Sequence, residues 1–231
     1  MTKTYIINVR QLDGEAAFKE AVDKISPYRR QKITLLKHEK DKKRSLGASL
    51  VLDAALKEYG LEERSMEYDL GKQGKPVFRY YPELHFSLSH SGDYAICSIG
   101  EQDIGNDIER MRNGKERVAE HFFAKEELVW MKEAKLPKER EERMFRLWTM
   151  KESFLKVTGL GMSLPLGSFS VVVDNNNAIR LRQQVNDRTY FMKEYAMPAE
   201  YKEETGYSIS VCSENSDFAS DLEPVCPLNA L

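Results

Sequence analysis

Residues 84–109 constrain the fold of this chain more tightly than any other stretch. Residues 84–89 alternate, with Phe86 and Leu88 on one face. Residues 94–99 are largely apolar, and residues 104–109 follow after Gly100-Glu101-Gln102-Asp103. Short runs of this kind, bounded by turn residues, read as β-strands, and Ser91-Gly92-Asp93 reads as a hairpin connection between the first two. The pattern predicts an antiparallel meander. Because successive strands reverse, the end of the first (Ser89, His90) and the end of the third (Asp107, Glu109) are expected at the same edge of the sheet.

The flanking segments add helices. Residues 4–9 read as a short strand, and Ser26-Pro27 is a helix start, with a capping hydroxyl and then proline at the first helical position. Leu46, Leu50 and Ala54 recur at helical spacing before Gly60 as a stop. In the second half, helices at about 116–134 and 138–158 precede strands at about 168–173, 178–182, 189–196 and 207–213, with Asp174-Asn175-Asn176-Asn177 as a turn. Helices followed by strands, twice over, indicate an α+β fold. Residues 214–231 carry no periodic pattern and are expected to form a flexible tail.

A chain of 231 residues, 41% hydrophobic, can form one domain or two small ones. Its net charge of −2 argues against a general polyanion binder, so no nucleic-acid partner is expected. No apolar run approaches a membrane span, and residues 1–12 do not resemble a secretory signal. Cys97, Cys212 and Cys226 are odd in number and lack metal-site spacing, which suits free thiols in a reducing cytoplasm.

Asp107 and Glu109 are i and i+2 on a strand and so aim to one face. They form either a solvated polar face or two ligands of a hard cation. Glu152, on the second long helix, adds a third carboxylate, and three oxygen ligands suit Mg²⁺. Glu152 and Lys156 share a helix face with Trp148. They make either a surface ion pair worth about 0.3–0.5 kcal/mol or a metal ligand beside a phosphate-neutralising cation. Lys151 lies about 100° round the helix and could reach the same ligand. Arg29, Arg30, Lys32, Lys37, Lys40, Lys42, Lys43 and Arg44 are opposed only by Glu39 and Asp41. That run is a solvated face by default, and it lacks the aromatic pattern of an RNA surface. Glu127 falls early in a helix, where acidic residues suit the macrodipole. Asn106 shares a face with Ile104 and Ile108, opposite Asp107 and Glu109. A buried amide there needs a partner or costs about 1–3 kcal/mol. Asn106 is therefore expected to find a local partner, to stand apart from any metal, and to be replaceable by isoleucine without loss of stability.

Taken together, G-x-D-x-E at residues 105–109 and W-x-x-K-E-x-x-x-K at residues 148–156 resemble the signature of the Sfp-type 4′-phosphopantetheinyl transferases. Gly74-Lys75-Pro76, Phe86-Ser87-Leu88-Ser89-His90-Ser91-Gly92, His121-Phe122-Phe123-Ala124-Lys125-Glu126-Glu127 and Leu164-Pro165-Leu166 fall in the family's order, so the resemblance spans residues 5–213. It implies two similar α/β halves related by a pseudo-two-fold axis, with the active site at their interface. Residues 1–104 would grip coenzyme A, and residues 105–213 would carry the metal and the catalytic helix. The implied reaction moves the 4′-phosphopantetheine arm of coenzyme A to a serine of an apo acyl- or peptidyl-carrier protein, releasing 3′,5′-ADP, in a monomeric enzyme. By the same resemblance Asp107, Glu109 and Glu152 hold Mg²⁺, and Lys151 and Lys156 contact the phosphates. Arg29, Lys32, Arg44 and Ser45 grip the 3′-phosphate, Ser89 and His90 contact phosphate or ribose, and Lys75 lies near the adenine. Glu127, or Glu152 through water, takes the serine proton. Met111, Val118 and Phe122 are either a carrier-docking surface or core. Asn106 departs from the family, which is usually apolar there. Two other readings are a non-catalytic carrier-protein or coenzyme A binding module on the same fold, and a magnesium-dependent nucleotide hydrolase. The first would have lost a metal ligand or motif lysine, whereas this chain keeps them all; the second would turn over coenzyme A without an acceptor.

Overall fold

The computed structural model describes residues 1–112, 116–201 and 206–226. Its strands are, in chain order, β1 (Lys3–Asn8), β2 (Tyr68–Leu70), β3 (Pro76–Phe78), β4 (His85–Ser91), β5 (Tyr94–Gly100), β6 (Ile104–Arg110), β7 (Ser170–Val173), β8 (Ile179–Arg182), β9 (Phe191–Glu194), β10 (Tyr207–Ser213) and β11 (Glu223–Val225). The helices are α1 (Glu15–Asp23), α2 (Pro27–Thr34), α3 (Glu39–Lys57), α4 (Glu116–Phe122), α5 (Lys125–Lys132) and α6 (Pro137–Thr158). The chain is thus mixed helix and sheet, as the alternation of patterns predicts. The two larger sheets run β11-β1-β5-β4 and β6-β10-β9.

The expected meander forms only in its first two strands. β4 and β5 make the hairpin, Phe86 opposite Ile99 and Ser91 opposite Tyr94. Gly92 takes φ 58°, the left-handed value that a two-residue hairpin loop needs at its first position. β6 does not add to β5, because both edges of β5 are already taken. β4 holds one, and β1 holds the other with Lys3 opposite Ile99 and Asn8 opposite Tyr94. β6 pairs instead with β10 along its whole length, Ile104 opposite Ser213 and Arg110 opposite Tyr207. It then runs beside β4 in the same direction, joined to it through side chains.

Two long helices cover the sheets. α3 buries Leu46, Leu50, Val51, Leu52 and Leu56 in a cluster with Ile7, Phe78 and Phe86. α2 begins as the sequence predicts, with Ser26 Oγ accepting from the Arg29 amide at 3.3 Å. α6 buries Phe145, Leu147, Met150 and Phe154 and stops at Gly159, whose φ of 67° is the left-handed cap. Between the sheets, Ile6, Tyr94 and Ile96 pack with Ile104, Ile108, Ile209 and Val211. At about 1.5–3 kcal/mol for each fully buried large aliphatic side chain, this shared cluster fixes the two sheets against each other.

The C-terminal segment corrects the expectation of a flexible tail. β11 pairs parallel with β1, Tyr5 opposite Glu223 and Ile7 opposite Val225. The Thr2 amide donates to Asp217 O, the Ala219 amide donates to Thr2 O, and Leu222 is buried in the cluster between the sheets. The outer edge of β1 would otherwise leave main-chain groups unpaired next to the core, a need met here by a strand too short to show periodicity. Residues 227–231 of that expectation lie outside the described residues. Among the described residues no helix is long and apolar enough to cross a membrane.

Candidate active site

Gly105 sets the site. A Cβ on it would lie 1.9 Å from Ser153 O and 2.5 Å from Val157 N, so only glycine lets the backbone of α6 rest directly on β6. That crossing brings Glu152 and Lys156, one turn apart, to Asp107. Lys156 Nζ donates to Asp107 Oδ1 at 2.8 Å and to Asn106 O at 2.8 Å. Asp107 is buried. Its Oδ1 also accepts from Ser89 Oγ at 2.7 Å, whereas its Oδ2 has no partner. Glu109 Oε2 accepts from Ser91 Oγ at 2.9 Å. Glu152 is half-buried, and burial, followed by repulsion from Asp107 and then Glu109, raises its carboxyl pKa above the ordinary range.

The crossing of α6 on β6 thus sets Glu152 near enough to Asp107 and Glu109 to feel their charge. A buried carboxylate oxygen without a donor is costly unless a cation meets it. Asp107 Oδ2 is an oxygen that a divalent ion would satisfy, and Glu109 and Glu152 are the neighbouring acidic side chains on β6 and α6. Among the described residues no three acidic, histidine or cysteine side chains already stand as a metal-binding group.

Beside the carboxylates lie two adjoining cavities of about 370 and 260 Å³ that share Arg29, Leu88 and Lys156 as walls. Arg29 is buried, and its Nε and Nη2 have no acceptor. Exposed Lys32 lines the larger cavity, its Nζ 4.8 Å from the Tyr28 ring. Ser45, Ser89 and exposed His90 line the smaller. Lys75 lines the larger, but its Nζ is engaged with Ile104 O at 2.8 Å and Lys156 O at 3.1 Å, and burial lowers its pKa. Arg44 donates to Gly92 O at 2.8 Å and to Asp41 at 3.1 Å, so it braces the hairpin turn. Arg29, with two unpartnered nitrogens, thus shares the larger cavity with Glu152 and with Lys156, which donates to Asp107.

The sequence matches the family model described as the 4′-phosphopantetheinyl transferase superfamily over residues 103–212. A 4′-phosphopantetheinyl transferase of Bacillus subtilis is 34% identical over 200 residues, covering 86% of this chain and 86% of the relative. The chain belongs to the 4′-phosphopantetheinyl transferase family. Another member, the 4′-phosphopantetheinyl transferase Sfp of Bacillus subtilis strain 168, is 34% identical over 202 residues, 87% of each chain. A third, from Bacillus pumilus, is 28% identical over 227 residues, 96% of this chain and 94% of the relative.

In this phosphopantetheinyl transferase two expected site residues sit elsewhere. Lys151 is fully buried, and its Nζ donates to Glu127 Oε1 at 2.7 Å, to Leu166 O at 2.8 Å and to Phe169 O at 2.9 Å. It has no path to a phosphate. Glu127 is equally sealed: Oε1 also accepts from the Val171 amide at 2.8 Å, and Oε2 from the Ala124 amide at 2.8 Å. Burial raises the Glu127 pKa and lowers that of Lys151, and the pair ties α5, α6 and β7 together. The reason is rotation: Lys151 leaves α6 about 100° round from Glu152, under Phe123 and Phe169. Asn106 is fully buried, as expected, with Nδ2 donating to Ser87 O at 2.9 Å and Ser98 Oγ at 3.0 Å. Of the three apolar docking candidates, Met111 packs against the α6 core, Val118 is half-buried, and Phe122 is 52% exposed. Sequence reasoning missed Ser91 and Met162, which is 83% exposed and lines the larger cavity. The signal for Ser91 was a serine at every second position, 87, 89 and 91, facing the motif strand.

Proposed function

We propose that the chain transfers the 4′-phosphopantetheine arm of coenzyme A to a serine hydroxyl of an apo acyl- or peptidyl-carrier protein. The observation that carries this reading is a pair of opposite needs on either side of Lys156, which lines both cavities and donates to Asp107. Asp107 Oδ2 is buried without a donor, and Arg29 Nε and Nη2 are buried without an acceptor. A metal-bound diphosphate that carries a separate phosphate meets both. Arg29, Lys32, Ser45 and His90 bind the 3′-phosphate, with Arg44 adding charge from behind the hairpin turn. Gly74, Lys75 and Pro76 border the adenine, and Ser89 walls the phosphate side.

Asp107, Glu109 and Glu152 would hold Mg²⁺, which would supply Lewis-acid stabilisation of diphosphate charge. Lys156, already oriented by Asn106 O and Asp107, keeps one N–H for a phosphate oxygen and stabilises charge as it develops. With Glu127 sealed, Glu152 is the carboxylate left to take the serine proton through water. The serine oxygen bonds to the β-phosphorus, the bond from that phosphorus to the bridging oxygen breaks, and 3′,5′-ADP leaves.

Residues 1–104 and 105–213 act as two similar halves related by a pseudo-two-fold axis. Each lays one long helix, α3 or α6, on its own sheet. One chain supplies both walls of the cleft, which suits a monomer. Cys97, Cys212 and Cys226 are free, as in a reducing cytoplasm. The test is release of 3′,5′-ADP from coenzyme A and Mg²⁺. Release only when an apo carrier is added supports transfer, and equal release without carrier would make the protein a hydrolase.

A further inference from the structure

β4 meets β6 without a main-chain ladder, since the two strands belong to different sheets. What joins them is serine. Side chains at i, i+2 and i+4 of a strand share a face, and Ser87, Ser89 and Ser91 all use that face to bond β6. Ser87 Oγ accepts from the Asn106 amide at 3.0 Å, and Ser91 Oγ accepts from the Arg110 amide at 3.0 Å. Ser89 Oγ donates to Asp107 Oδ1, and Ser91 Oγ donates to Glu109 Oε2 at 2.9 Å.

Ser91 is the informative member. The Arg110 amide occupies a lone pair of its oxygen, so the single hydroxyl proton is directed to Glu109. Glu109 has three rotatable bonds and is only half-buried, so fixing its carboxylate in one rotamer costs conformational freedom. The serine engages one oxygen, Oε2, and leaves Oε1 to serve as the ligand oxygen. Ser89 does the same for Asp107, where the result is visible as the free Oδ2.

We infer that Ser91 is a positioning residue for the divalent cation, orienting Glu109 as Ser89 orients Asp107, so that β4 tunes a metal site whose ligands lie on β6 and α6. This rests on the reading of Asp107 and Glu109 as metal ligands. Partners that hold metal ligands from behind are worth about 10–100-fold in metal affinity.

The test titrates Mn²⁺ into protein saturated with coenzyme A and reads free ion by electron paramagnetic resonance. Ser91→Ala should weaken Mn²⁺ by about tenfold or more. Ser91→Thr, which keeps the hydroxyl, should restore it. In a Glu109→Gln background Ser91→Ala should add almost nothing, because its effect passes through Glu109. If Ser91→Ala melts below the assay temperature, Ser91→Cys, nearly isosteric and a weak donor, replaces it in the same comparison. Wild-type Mn²⁺ affinity in the variant without the hydroxyl, or an undiminished loss in the Glu109→Gln background, overturns the inference while leaving the metal site standing. No Mn²⁺ binding by the wild-type protein overturns the metal site itself, and the inference with it.

Discussion

Replacing Glu127 by glutamine separates a structural carboxylate from a catalytic one. In Glu127→Gln the amide oxygen can still accept from the Val171 amide, but the new NH₂ faces the Ala124 amide, donor against donor. Lys151, fully buried, loses its counter-charge and keeps only neutral acceptors, the new amide oxygen and the carbonyls of Leu166 and Phe169. Breaking one side of a buried pair costs about 3–5 kcal/mol. For a chain of this size each kcal/mol moves the melting temperature by about 2–4 °C, so the drop should be about 6–20 °C. Thermal melts by circular dichroism measure it. The folded variant, assayed well below its melt, should retain most of its turnover. The double variant Glu127→Gln/Lys151→Met, with no charge left to bury, should recover much of the lost stability. A Glu127→Gln protein that melts like the wild type yet loses turnover by about a hundredfold or more, the loss expected of a missing general base, would refute the reasoning.

Other variants test the cleft and the strand beneath it. Asp107→Ala and Glu152→Ala should each lower the transfer rate by about a hundredfold or more at fixed Mg²⁺, measured by single-turnover quench. Arg29→Met should weaken coenzyme A by about tenfold to a hundredfold, the worth of charge-assisted hydrogen bonds, and leave dephospho-coenzyme A unaffected in calorimetric titration. Asn106→Ile should lower stability by about 1–3 kcal/mol in urea melts, because it strips the buried Ser87 carbonyl of a donor. Unchanged stability would restore the view from sequence that isoleucine fits there.

Much of this site could be read in the chain. The strands and the long helices follow from periodicity and caps, as at Ser26 and Gly159. The convergence of Ser89 with Asp107 was legible because alternate strands return to the same edge, although the pairing that produces it is different. What could not be read depends on partners distant in sequence. No local pattern says that β1 takes the free edge of β5 and sends β6 to β10. Nor does one say that residues 223–225 close the outer edge of β1. Lys151 and Glu152 are neighbours, and their opposite fates, one sealed in the core and one in the cleft, turn on a rotation of about 100° that motif spacing does not resolve. Gly105 carries the clearest hidden signal, a residue kept small because a helix backbone lies on it.

The central claim is that this cleft carries out metal-dependent phosphopantetheine transfer to a carrier. Intact-mass spectrometry of apo carrier proteins incubated with the protein, coenzyme A and Mg²⁺ tests it most directly. The account predicts that at least one carrier class gains a single phosphopantetheine on its acceptor serine, and that chelating the metal or substituting Asp107→Ala abolishes the gain. Carriers that keep their apo mass across peptide, polyketide and fatty-acid classes, with folded wild-type protein and bound coenzyme A, would contradict it.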